Sequence, residues 1–273
     1  NFNENTVFGI ADSGVDNELK LNLGSGINSL DIPSTINGGQ STKYQITGIE
    51  DFVVSGDINF QRNGELFLPN TVNITVPGRI NVANLTTSQL EVFKIPSGGE
   101  ISTSGSDLDI SQVTGYDLSG TLNMENSEFI APEYRQLNIP GSVNLGSQGV
   151  ADFSLTEDLT LNDFSIGNNG EIDVSSLQDF QLNGLLNLDS NVNLDMPVID
   201  SFGMSDTAQI DSTASIDLSN LEGDKSNFGK ISVSEKLNLS GLTGLEVTDD
   251  MSVNGITDLS NISYLNVQSG SSF

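Results

Sequence analysis

One pattern recurs along this chain of 273 residues at a spacing of 21 or 22. It reads apolar-x-Gly-x-apolar-Asn-apolar, with intact copies at 54–60, 76–82, 118–124, 139–145 and 182–188. Their first residues lie 22, 42, 21 and 43 apart, one or two periods each time. Degraded copies fill the gaps, as in Ile95-Pro-Ser-Gly98 before Ile101 and Leu161-Asn-Asp163 before Ile166. Other columns keep the same step: Phe180 recurs as Phe202, Leu188 as Ile210 and Leu194 as Ile216. A period of this length marks a stack of small units, none of which can bury an apolar face alone.

Inside a unit the apolar residues come in i, i+2 pairs separated by polar turn residues. Period two is the signature of a strand, whose successive side chains point to opposite faces. Phe180/Leu182, Leu186/Leu188 and Leu194/Met196 give three such strands in one unit. Glycine at the first bend is expected to supply a positive φ. Six of the seven prolines (Pro33, Pro69, Pro77, Pro96, Pro140 and Pro197) directly follow an apolar pair. Lacking an N–H for the ladder, they are expected to mark strand ends. The predicted fold is all-β: a single-chain β-solenoid, β-helix-like, with roughly triangular coils of about 21–22 residues and three short strands per coil. Residues 1–18 stand outside the repeat and read as an N-terminal cap or an exchanged strand. Residues 19–273 read as the solenoid repeat domain.

The composition suits a narrow core, with hydrophobic residues at only 36%. Charge narrows the function. Against 37 acidic residues there are 9 basic ones, a net charge of −28, which excludes a phosphate-binding surface for nucleic acid. No apolar run approaches the ~18 residues of a membrane span, so membrane insertion is not expected. With no His and no Cys, the chain cannot build a Ser-His-Asp triad, a thiol nucleophile, a disulfide or an ordinary zinc or copper centre. Lys and Arg are scattered singly and form no basic groove for an acidic polysaccharide.

Three groups of residues remain as candidates. Asp173, Asp195 and Asp217 follow one another at the 22-residue step, with Asn238 next, and Asp189 and Asp211 form a second column. Facing carboxylates repel by just under ~1 kcal/mol in water. Such columns read as a solvated acidic face or as cation sites, with calcium the cation that hard oxygen ligands suit. No other cofactor is expected. The column Asn59, Asn81, Asn123, Asn144 and Asn187 reads as amides bonding from coil to coil. Asn73, Asn84, Asn238 and Asn261 each open an Asn-x-Ser/Thr sequon for glycosylation.

The third group belongs to assembly. Val7, Phe8 and Ile10 read as a strand that pairs with a neighbouring subunit, and Leu265, Val267 and Phe273 as the final coil. An open sheet edge is a template for another chain, and docking through unlike surfaces propagates head to tail. The expectation is a non-enzymatic structural protein: an extracellular β-solenoid subunit of a surface filament, sheath or adhesin. Its partners are copies of itself and surface glycans. The alternatives are a viral tail fibre or spike and a carbohydrate-binding β-helix, with a polysaccharide-degrading enzyme behind them.

Overall fold

The computed structural model describes residues 18–22, 28–39, 41–60, 63–131, 133–196, 199–210 and 214–217, then the strands between 226 and 267 with residues 259 and 260. The chain is a β-solenoid of stacked parallel strands, with no helix among the described residues. It divides into two compact units, Asn1–Ile130 and Ala131–Phe273.

In the first unit each coil carries three short strands, as the paired apolar residues require. Asp51–Val53, Asp57–Phe60 and Glu65–Leu68 make one coil, and Asn73–Thr75, Arg79–Asn81 and Asn84–Thr87 the next. Strands lie parallel to their equivalents in the following coil, with Phe52 opposite Ile74, Ile58 opposite Ile80 and Leu66 opposite Leu85, until the ladder from Asn84–Thr87 stops short of Leu108–Asp109. Alternate residues point inward. Phe52, Leu66, Leu68, Ile74, Ile80 and Phe93 are buried completely, each contributing ~1.5–3 kcal/mol relative to exposure.

The corner glycines work differently from expectation. Gly78 and Gly120 do not have a positive φ; among the described residues the positive-φ glycines are Gly48, Gly98 and Gly105. A Cβ on Gly78 would lie 2.0 Å from the carbonyl oxygen of Gly56 one coil away, and one on Gly120 would lie 2.4 Å from that of Gly99. The corner requires glycine because backbone stacks on backbone there. Left-handed corners elsewhere fall to Asn63, Asn126, Gln148, Asn169 and Asn191, with φ between 48° and 63°. Asn tolerates that region best among side-chain-bearing residues.

At another corner serine replaces the strand ladder. Ser106 Oγ donates to the Leu85 carbonyl at 2.8 Å and accepts the Leu85 N–H at 3.1 Å. One coil on, Ser127 Oγ accepts the N–H groups of Gly105 and Ser106 at 3.1 and 3.0 Å. Buried main-chain groups that would otherwise lack a partner are thereby satisfied.

The second unit differs at the first bend. In four of its coils the first two strands fuse into one, giving Gln136–Leu145, Asp158–Ile166, Ser201–Ile210 and Ser226–Val233. The pairing of the first two slips between Ile139 and Ser142. That slip is a β-bulge, where Pro140 and Gly141 lie opposite the single Asn162 and bend the strand without ending it. Pro140 therefore sits inside a continuous strand and not at its end, contrary to expectation, because a bulge tolerates a missing donor. The core column runs Leu137, Leu159, Phe180, Phe202. Phe180 and Phe202 have ring centroids 5.4 Å apart.

Candidate functional site

Coil stacking places every outward side chain beside the one 21 or 22 residues away, so surface chemistry is set by what recurs at that step. In the first unit the recurrence pairs opposites. Lys43 Nζ meets Glu65 Oε1 at 3.0 Å and Arg79 Nε meets Glu100 Oε2 at 2.9 Å. Asn73 Nδ2 donates to Asp51 Oδ1 at 2.6 Å. The ion pairs are largely exposed and worth ~0–1 kcal/mol each. Bases that look scattered in the sequence are thus cross-coil partners. The legible signal was a base followed one period later by Glu.

The second unit does the reverse. Between residues 136 and 224 there is no Lys or Arg at all, and Arg135 at its border is held protonated by its pairing with Glu157. Gln136, Asp158, Asp179 and Ser201 form one column. Gln136 Nε2 donates to Asp158 Oδ2 at 2.8 Å, while Asp158 and Asp179 face each other as two carboxyls. Asp179 lies exposed on the sheet, yet loss of hydration against its neighbours raises its carboxyl above the ordinary value. The Asp158 charge adds to that rise and a hydrogen bond with Ser201 opposes it.

Asp195 faces Asp217, which faces Asn238, which faces Asp258. Asp173 belongs to a different sheet, where its partner in register is Asp152. Asp189 accepts from Asn187 Nδ2 at 3.3 Å within its own coil. Asp211 lies outside the described residues.

The task of several of these carboxylates is local. Asp109, Asp117, Asp152, Asp173 and Asp258 each accept the backbone N–H of the Ser two residues later, at 2.9, 3.1, 2.9, 3.0 and 3.0 Å respectively. This is an Asx turn, in which a short side chain closes the bend that a backbone carbonyl would otherwise close. Asp-apolar-Ser at a strand end is its sequence signal. Among the described residues no group of three or more acidic side chains is arranged to hold a metal ion.

No family model, curated protein or solved structure matches this chain. The functional reading therefore rests on geometry.

The amide column is present, though its bonds alternate in kind. Asn59 faces Asn81, Asn81 faces Ser102, and Ser102 faces Asn123. Asn123 Nδ2 reaches Ser102 Oγ at 3.3 Å and Glu100 Oε1 at 3.1 Å. In the second unit Ser165 Oγ donates to Asn144 Oδ1 at 3.2 Å. Of the sequon residues, Asn73 is half-buried with its Nδ2 bonded to Asp51. Asn84 is half-buried, its N–H bonded to the Gly64 carbonyl at 3.1 Å. Asn238 lies on the strand Lys236–Asn238, and Asn261 falls outside the described residues. So do Val7, Phe8, Ile10 and Phe273. Leu265 and Val267 lie on Tyr264–Val267, whose ladder runs to Gly244–Val247.

Proposed function

We propose that this protein is a non-enzymatic structural subunit of an extracellular filament, sheath or adhesin, joined to copies of itself head to tail through the outer strands of its stacked coils. The observation that carries this reading is the parallel register of the stacked coils. A paired strand presents to the next coil the same row of main-chain N–H and C=O groups that the previous coil presented to it, as Asp57–Phe60 does between Ile36–Gly38 and Arg79–Asn81. A second copy offers the same rows at the same spacing, so a strand left at the edge of such a stack is a template for another chain. The acidic walls suit the role by keeping such units apart sideways. A calcium-dependent assembly is the variant of this reading in which facing carboxylates such as Asp195 and Asp217 are bridged between coils.

Sedimentation velocity over a concentration series tests it. The expected result is a ladder of multiples of the chain that shifts upward with concentration. A single monomeric boundary at every concentration, with and without calcium, would overturn it.

A further inference from the structure

The first unit carries a groove of about 360 Å³ on its wall, lined by Asn81, Ala83, Ser102, Ser104, Asn123 and Glu125 above Phe60, Val82 and Thr103. Its size lies at the lower end of the range for small-molecule sites. The register explains its layout. Asn81, Ser102 and Asn123 stand opposite one another on three successive strands, and two residues further along Ser104 stands opposite Glu125. Outward side chains at i and i+2 share a face, so these groups form a grid spaced ~4.8 Å across strands and roughly 6.6 Å along them. Ala83 offers only a methyl group in the remaining position.

The outward groups of the groove are preorganised: Glu100, two residues before Ser102 and paired with Arg79, accepts hydrogen bonds from Ser102 Oγ and Asn123 Nδ2, each at 3.1 Å.

We infer that this groove is a binding site for a short, uncharged oligosaccharide. Amides, hydroxyls and one carboxylate supply the paired donors and acceptors that adjacent sugar hydroxyls need. The Glu125 carboxylate in the lining repels uronic or sialic acids, and the apolar surface that Phe60, Val82 and Ala83 give the groove suits the C–H face of a sugar ring. This inference goes beyond head-to-tail association, since the groove lies on a wall and uses none of the outer strands.

The test is isothermal titration calorimetry of the full chain with cello-, malto-, manno- and chito-tetraose, and with tetragalacturonate as the charged comparison. At least one neutral tetraose is expected to bind, and tetragalacturonate is not. Ala83→Phe, which fills the groove, and Asn81→Ala, which removes an amide while leaving the fold's core untouched, are each expected to weaken binding roughly tenfold or more. Asn144→Ala on the second unit is expected to change nothing. Absence of binding by all four neutral probes, or binding that both groove variants leave intact, would overturn the inference. Sedimentation of Ala83→Phe reads assembly separately, so loss of sugar binding with multimers retained tells the two proposals apart.

Discussion

The two units of this solenoid solve the same stacking problem with different chemistry. In the first, the bend after the first strand is a sharp corner that brings Gly78 against the Gly56 backbone, and the walls pair Lys43 with Glu65 and Arg79 with Glu100. In the second, the bend relaxes into a bulge within strands such as Gln136–Leu145, and the walls set Asp158 against Asp179 and Asp195 against Asp217. The comparison teaches that coil stacking is held by the inward columns and the main-chain ladder. Wall charge can pass from paired to repulsive without altering the register, because each exposed pair is worth so little beside a buried Phe or Ile.

The sharpest way to break the comparison is at the bends. Gly78→Ala should cost about 3 kcal/mol or more, since its Cβ has only a backbone carbonyl to meet. Urea unfolding monitored by circular dichroism measures it, and a change under ~1 kcal/mol would mean that the corner is not backbone-packed. The bulge of the second unit depends on an acceptor: Asp163 Oδ1 takes the Leu185 N–H at 2.9 Å. Asp163→Ala should therefore cost ~1–2 kcal/mol and Asp163→Asn, which keeps an acceptor oxygen, less. Equal losses from both would assign the effect to charge instead of the hydrogen bond.

The walls should give smaller effects of opposite sign. Because the Asp179 carboxyl holds its proton more tightly in the folded chain than unfolded, stability on its account is greatest in acid and is lost as pH rises through its raised value. Asp179→Asn should remove that slope and stabilise the second unit slightly at neutral pH. Hydrogen exchange of peptides from 158–182 against pH reads this locally. The smallest effect belongs to the first unit, where Lys43→Met should cost ~0.2–1 kcal/mol and added salt should weaken the same pair. In the second unit added salt should instead relieve repulsion, so exchange there should slow.

The fold was legible in the sequence because its cause is periodic. Apolar pairs such as Leu186/Leu188, kept in phase over many repeats, permit no other arrangement than stacked strands. The bulges were not legible, since Ile139-Pro140-Gly141 has the same apolar-Pro-Gly pattern as the sharp corner at Val76-Pro77-Gly78, and only the register distinguishes them. The acidic columns were legible as columns, but their local task was not. A carboxylate that caps a turn and one that awaits a cation look alike until the Ser N–H two residues on is seen to point at it. The ion pairs between coils and the groove beside Ala83 required knowing which residues the stack sets opposite each other. The expected column from Asp173 to Asp195 shows the limit of spacing alone, because the two residues lie on different sheets.

The most direct test of the central claim is fibre diffraction from concentrated, aligned protein. Head-to-tail stacking of coils predicts fibres with a meridional reflection at ~4.8 Å, the strand spacing directed along the fibre axis. Failure to form fibres, or a 4.8 Å reflection lying on the equator, would contradict it.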